Sequence, residues 1–160
     1  MPPAYQQTFQ KSEQQLASAQ YLLNVTYRTI QDPKLLIGVI TTLFSSLEHA
    51  LTAVLIYERS LLLIPAYENN FEKKFTLFRS NSAKRNHLPQ KHIELIKKIH
   101  SLTELHKTSP VEFQRGNKLI LCDKKYQLEP LTLELAQNYV ELTHQFLNII
   151  AKIIKIKRKQ

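Results

Sequence analysis

Residues 85–92 read RNHLPQKH and place an arginine, an asparagine and two histidines around one proline. Histidine changes its protonation state near neutral pH and can act as a general acid or base. Arginine stays charged and binds a phosphate group through two parallel hydrogen bonds. Arg85, Asn86 and His92 therefore form a candidate site for chemistry on a phosphate-bearing substrate. The alternative is a basic loop between two helices.

The motifs of most enzyme classes are absent from the sequence. The chain has only two glycines, which excludes a glycine-rich phosphate loop and a dinucleotide-binding fingerprint. It contains no HExxH sequence, and its histidines and acids lack the spacing of a metal site. The single cysteine, Cys122, excludes an internal disulfide and a thiolate zinc cluster. We therefore expect no cofactor and no bound metal.

The net charge of +9 is concentrated in one part of the chain. Residues 1–66 contain four basic and four acidic side chains, whereas residues 67–160 contain eighteen basic and nine acidic ones. Such an asymmetry is typical of a neutral packing region joined to a region that meets a polyanion. The alternative is a solvated lysine-rich surface without any such partner.

The most apolar stretch covers residues 35–64 and is long enough to span a bilayer. Glu48 and His49 lie near its centre, and Glu58 and Arg59 interrupt its end. A charge at such a depth costs roughly 2.5–3.5 kcal/mol on insertion scales, which favours a buried core helix. The start of the chain lacks the basic and apolar regions of a secretory signal. We expect a soluble, cytoplasmic protein in which Glu48 and His49 are hydrogen-bonded inside the core.

Prolines and apolar periodicity divide the chain into helices. Apolar residues recur at intervals of three and four, as on one face of an α-helix. The segments with this pattern are about 5–30, 33–63, 70–82, 90–107 and from about 132 onward. We expect Asp32 to cap the second helix, with Pro33 in its first position, and Thr132 to cap the last.

The stretch that follows the fourth predicted helix breaks this pattern. Residues 111–128 are rich in β-branched and aromatic residues around Gly116-Asn117, a pair that suits a hairpin turn. We predict an all-α fold, an antiparallel up-down bundle of four to five helices with a small β-hairpin inserted before the last helix. Residues 1–160 are expected to form a single domain with a basic C-terminal tail at about 152–160.

An arginine, a polar neighbour and a histidine, with six residues between Arg85 and His92, resemble the motif of the HEPN superfamily of small α-helical domains. Two long N-terminal helices extend the resemblance in fold over most of the chain. It implies metal-independent RNA cleavage, in which His92 moves a proton on or off the ribose 2′-hydroxyl and Arg85 stabilises charge on the phosphate. Two features depart from the family pattern: Pro89 splits the motif between a loop and a helix, and the hairpin has no counterpart in the simple form of the fold.

Further basic residues are candidates for phosphate contacts. They lie within residues 73–98, at the predicted hairpin turn and in the C-terminal tail. Basic side chains at such positions neutralise phosphate charge. The candidates are Lys84, His87, Lys91, Lys97, Lys98, Arg115, Lys118, Lys155, Lys157 and Arg158. His87 is also the alternative base if the register of the motif differs.

These observations favour a HEPN-like protein that binds RNA, with endoribonuclease activity as a further hypothesis. One alternative is a protein-interaction module, in which the apolar helices form a homodimer or bind a partner such as a nucleotidyltransferase in an antitoxin-type pair. Another is a basic protein that associates with the ribosome without catalysis. RNA binding should weaken steeply with salt, whereas a protein-docking module should be less sensitive and should expose an apolar patch.

Overall fold

A computed structural model gives the structure of residues 1–109 and 111–158. Pro110 and the last two residues of the predicted basic tail, Lys159 and Gln160, lie outside the described residues. Within the described part, the chain forms five helical runs and one small sheet. The runs are α1 (Ala4–Tyr21, continued by a π-helical stretch, Leu22–Thr26, and by Tyr27–Ile30), α2 (Leu35–Ser60), α3 (Phe71–Leu77, π-helical Phe78–Ser82 and Ala83–Arg85), α4 (Gln90–Thr108) and α5 (Leu133–Ile153).

The predicted cap of α5 is confirmed, and the predicted cap of α2 is not. Thr132 precedes α5, and its side-chain oxygen accepts the N–H of Leu135 at 3.2 Å, as predicted. Asp32 Oδ1 accepts the N–H of Lys34 at 3.0 Å and so stabilises a turn ahead of α2. Because of this turn, α2 begins at Leu35, with Lys34 rather than Asp32 at the N-cap position and Pro33 ahead of the helix. The predicted helices are confirmed, with ends that differ by a few residues.

Helix α2 forms the centre of the bundle, and the other four helices pack around it. Leu43, Leu47 and Leu51 have no exposed surface and belong to a core that includes residues of every helix. By length and composition α2 passes the criteria for a membrane span, but 56% of its most apolar window is buried in the bundle. The buried core helix of a bundle is apolar on most faces in the same way.

The polar residues in the middle of α2, Glu48 and His49, have hydrogen-bond partners as expected, but both are only half-buried and not inside the core. Lys74 on α3 donates to Glu48 at 3.4 Å, and the Lys74 side chain is only 6% exposed. His49 Nδ1 lies 2.7 Å from the carbonyl of Ser45, one turn earlier. The carboxylate and the imidazole are thus accommodated within the packing of the bundle.

Small residues let α1 and α2 approach closely. A Cβ atom on Gly38 would lie only 3.1 Å from the side chain of Leu22. Farther along the contact, Ser12 and Ser46 are fully buried. Each serine hydroxyl donates to the other residue's carbonyl, at 2.7 and 2.8 Å. The pair therefore satisfies two buried hydroxyls while it fixes the register of the two helices.

Helix α3 runs parallel to α2, which corrects the predicted alternation of directions. Its first residue, Phe71, contacts Phe44 with ring centroids 5.0 Å apart, and its last residue, Arg85, pairs with Glu58. Residue numbers therefore increase in the same direction along both helices. The non-helical connection 61–70 takes the chain back to the level of Phe44 in α2 before α3 begins. Helix α4 runs antiparallel to α3, and α5 runs antiparallel to α4.

The inserted β element is a three-stranded antiparallel sheet, where the sequence predicts only a hairpin. Its strands are β1 (Glu112–Arg115), β2 (Lys118–Cys122) and β3 (Leu128–Leu131), in that spatial order. The predicted turn at Gly116-Asn117 is confirmed, and Gly116 has a left-handed φ of 61°. The prediction misses β3 because this strand contains Pro130. On the edge of a sheet, opposite Ile120, a residue without an N–H is tolerated.

Four helical runs of the described structure end in a residue with a left-handed backbone conformation, and none of these residues is a glycine. The non-glycine residues at these ends are Gln31, Leu62, His87 and Lys155. Glycine usually occupies such a position, since an L side chain costs roughly 1–2 kcal/mol there. The sheet packs near Gln31, where Gln114 Nε2 donates to Asp32 Oδ1 at 2.9 Å. The other three turns lie at the opposite end of the bundle.

Candidate nucleic-acid interface

The end of the bundle opposite the sheet brings distant parts of the chain together. Tyr5 packs edge-on against Tyr57 with ring centroids 5.1 Å apart, which places the N-terminal residues beside the end of α2. Ile156, just after α5, lines a groove with Phe9 of α1. The α3–α4 turn joins them through Arg85, the last residue of α3, which pairs with α2.

We define the basic end as the four segments that meet there, residues 1–12, 59–67, 75–93 and 142–158. Every charged residue of these segments is a lysine or an arginine. Among the described residues, their ion pairs use two acids from outside the segments. Glu58 is 2% exposed, and Glu13 lies 3.8 Å from Arg158. Glu13, Glu68, Glu94 and Glu141 border these segments, so basic side chains outnumber the acids around this end without excluding them. Such an excess of positive charge attracts polyanions.

Arg85 neutralises a buried carboxylate. One oxygen of Glu58 accepts a hydrogen bond from Arg85 Nη1, and Arg85 Nη2 donates to the carbonyl of Leu63 at 3.3 Å. The other oxygen, Oε1, has no hydrogen-bond partner among the described residues. Because a buried charge without a counter-charge is costly, the guanidinium is committed to holding the ends of α2 and α3 together.

His92 lies inside the bundle, with 1% of its surface exposed. The centroid of its ring is 5.8 Å from that of Phe146 on α5, and its Nδ1 has no hydrogen-bond partner among the described residues. Burial lowers the pKa of His92 below the ordinary 6.5, and the positive charge of Lys91 lowers it further. The imidazole is therefore neutral at physiological pH and is shielded from a macromolecular substrate.

The residues between Arg85 and His92 shape the turn. Asn86 Nδ2 donates to the carbonyl of Ser82 at 2.8 Å, so the amide helps to close the end of α3. His87 is exposed and left-handed, with a φ of 52°. The motif residues therefore lie in one corner of the bundle, where the side chains of Arg85, Asn86 and His92 all contribute to the packing and hydrogen bonding of the fold.

Six of the predicted phosphate contacts lie at the basic end. Five of these six predicted contacts are exposed: Lys84, His87, Lys91, Lys155 and Lys157. Arg158 lies at the flank and is half-buried, and its Nη1 donates to Asn148 Oδ1 and to the carbonyl of His144 at 2.8 and 2.9 Å. Burial lowers the pKa of Arg158, while the charge of Glu13 acts in the opposite direction. Arg158 therefore anchors the tail, and the lysines beside it face solvent.

The other predicted phosphate contacts lie away from the basic end. Lys97 and Lys98 on α4 each pair with a glutamate. Arg115 and Lys118 flank the turn of the sheet at the far end of the bundle. Acids such as Glu112 stand among the basic residues there, so the local potential is more nearly balanced. The structure thus divides the predicted basic surface into separate regions.

Four further basic residues of this end, Lys11, Arg59, Arg79 and Lys152, are absent from the predicted phosphate contacts. Arg79 is exposed and lines a groove with Lys84 and His87, to which a π-helical stretch without a sequence signature brings it. Lys152 is exposed at the end of α5. The sequence signal for Lys152 is the run of basic residues in the C-terminal tail.

Comparison with protein-family models, with characterised proteins and with solved structures found no match for this chain. Within residues 1–109 and 111–158, no group of three or more His, Cys, Asp or Glu side chains is arranged to hold a metal ion. The likeness to the HEPN motif therefore stays a prediction. Function has to be inferred from the charge, exposure and geometry of the residues above.

Removal of Arg85 should destabilise the protein strongly. In Arg85→Met the carboxylate of Glu58 stays buried without its cation, and we expect a loss of about 3 kcal/mol in the free energy of unfolding. The double variant Arg85→Met, Glu58→Met should recover most of that loss, because no buried charge is left. Urea denaturation measures all variants, with Lys84→Met as an exposed control on the same helix. Equal losses in Arg85→Met and Lys84→Met would contradict the role of the pair.

Acid should destabilise the protein through His92. The unfolded chain binds a proton at His92 below about pH 6.5, whereas the folded protein, with its lowered pKa, does not. The free energy of unfolding therefore falls as the pH falls from 6.5 towards the folded pKa, by at most about 1.4 kcal/mol per pH unit. We expect His92→Leu to show a smaller loss than the native protein in urea denaturation at acidic pH. The exposed-histidine variant His87→Gln should keep the native slope, and identical slopes in all proteins would refute this assignment.

Proposed function

We propose that the protein binds RNA through the basic end. The observation that carries this proposal is the meeting of four acid-free segments at one end of the bundle. Their exposed lysines are Lys11, Lys84, Lys91, Lys152, Lys155 and Lys157. Lysine and arginine side chains that contact phosphates release counterions from the nucleic acid, and this release drives binding.

RNA is our choice of polyanion because the RNHLPQKH octapeptide resembles a motif of proteins that act on RNA. Lys11 lies within α1, and the other lysines lie near helix ends, on a turn and on the tail, where long side chains can follow a flexible backbone. Contacts to phosphates position a nucleic acid but carry no sequence information. We therefore expect binding with weak sequence preference.

We propose RNA binding without cleavage. A general base has to come within about 2.6–3.2 Å of the proton that it removes. His92 is 1% exposed, and the guanidinium of Arg85 is paired with Glu58. RNA bound at the basic end is therefore expected to stay intact.

A leucine-rich turn supports a second candidate function, the docking of a protein partner. Leu61, Leu62 and Leu63 follow α2 and are 51%, 81% and 46% exposed. Leu62 also has a left-handed φ of 58°, which is costly for a leucine. A partner that covers this apolar turn would bind with much less dependence on salt than RNA.

A salt series distinguishes these candidates and locates the RNA. We expect the affinity for a short single-stranded RNA, measured by gel shift, to fall at least about tenfold between about 50 and 200 mM salt. The triple variant Lys152→Gln, Lys155→Gln, Lys157→Gln loses three positive charges of the basic end. Each phosphate contact contributes about 0.7 to the slope of log affinity against log salt, so the slope should fall by about 2.

The matched control removes three lysines from the sheet end, in Lys118→Gln, Lys124→Gln, Lys125→Gln. This control should bind RNA as the native protein does, since acids surround these positions. Equal losses in both triple variants would show that net charge alone matters and would contradict binding at the basic end. Absence of binding at low salt would exclude the RNA proposal and leave protein docking. Degradation of the RNA in the same gels, without added metal, would restore the cleavage hypothesis.

A further inference from the structure

A groove lies between the second half of α3 and the first turns of α4. Its lining combines apolar and basic side chains, with Ala83, Leu88 and Ile93 in the first group and Arg79, Lys84 and His87 in the second. None of the described lining residues is an acid, and the chain has no acid between Glu72 and Glu94. This combination suits a ligand that carries both a ring and a negative charge.

The π-helical stretch Phe78–Ser82 brings the two permanent cations of this groove to one side of α3. Arg79 and Lys84 are five residues apart, and in a regular α-helix they would point roughly 140° away from each other. In a π-helical turn the hydrogen bond joins residues five apart, so such residues lie nearly above one another. The N–H of Ala83 bonds to the carbonyl of Phe78 in this way. Both cations consequently line the same groove.

Neither of these two cations has a counter-charge among the described residues, and Arg79 is also held in position. The ion pairs of the described residues involve neither Arg79 nor Lys84. The Cζ atom of Arg79 lies 5.5 Å from the centre of the Phe75 ring, a cation–π contact that restricts the side chain. A guanidinium that is held in place without a carboxylate is available for a phosphate.

We infer that this groove holds one nucleotide of the bound RNA, with its phosphate between Arg79 and Lys84 and its base and ribose against Leu88, the half-buried apolar residue of the lining; Ile93, which also lines the groove, is buried. The inference rests on the RNA binding proposed above and names a subsite within the basic end. Arg79 orients the phosphate through the two donors of its planar guanidinium, and Lys84 adds a mobile positive charge. His87, on the left-handed turn of the same groove, adds a ring N–H donor.

Adenosine 5′-monophosphate tests the groove, with unphosphorylated adenosine as the comparison ligand. In native protein with ¹³C-labelled methyl groups, the monophosphate is expected to shift the NMR signals of Leu88 and Ile93, and adenosine to shift them much less. The double variant Arg79→Gln, Lys84→Gln should bind the monophosphate about tenfold more weakly or worse, because charge-assisted hydrogen bonds are lost. The matched variant Arg28→Gln, Lys34→Gln removes the same residue types near the sheet end and should bind it as the native protein does.

Unchanged Leu88 and Ile93 signals on addition of the monophosphate would overturn the inference. Undiminished binding by the Arg79→Gln, Lys84→Gln variant would do the same, and so would equal losses in both double variants. None of these results decides whether RNA binds, because the lysine triple variants test that separately. Native-like methyl spectra of the variants establish that they are folded.

Discussion

A carboxylate buried at the end of the central helix requires a cation, and Arg85 supplies it from the end of α3. Helix α3 therefore has to run beside α2 in the same direction and finish at the same end. The non-helical connection 61–70 follows from this requirement, since the chain has to return along the bundle before α3 begins. Arg85 of the RNHLPQKH octapeptide thus stabilises the fold by pairing with Glu58.

The same ion pair preserves the charge of the basic end. Glu58 is the one buried acid among the described residues, and its charge is neutralised by Arg85 and hidden from solvent. Glu58 therefore takes little from the positive potential of the surrounding lysines. Three turns at this end, at Leu62, His87 and Lys155, hold non-glycine residues in the left-handed conformation. Such strain persists only where the surrounding structure imposes it, and it is common at functional sites.

Local signals in the sequence predict local features of this fold, and long-range contacts decide the rest. Periodicity and prolines predict the helices, Thr132 predicts the start of α5, and Gly116-Asn117 predicts the first turn of the sheet. The parallel course of α3 depends on a pair 27 residues apart, which no local pattern contains. The burial of His92 likewise depends on Phe146 of α5, and the basic end exists only because segments far apart in sequence meet there. A spacing of arginine and histidine therefore indicated a candidate site without indicating whether the histidine is accessible.

The position of bound RNA tests the central claim most directly. Assigned amide NMR spectra of the native protein, recorded with and without a short single-stranded RNA at low salt, report which residues change their environment. We expect the shifts to concentrate in residues 79–91 and 152–158 and to fade as salt is added, while residues 112–131 stay unchanged. Shifts centred on residues 112–131, or no shifts at low salt, would contradict RNA binding at the basic end.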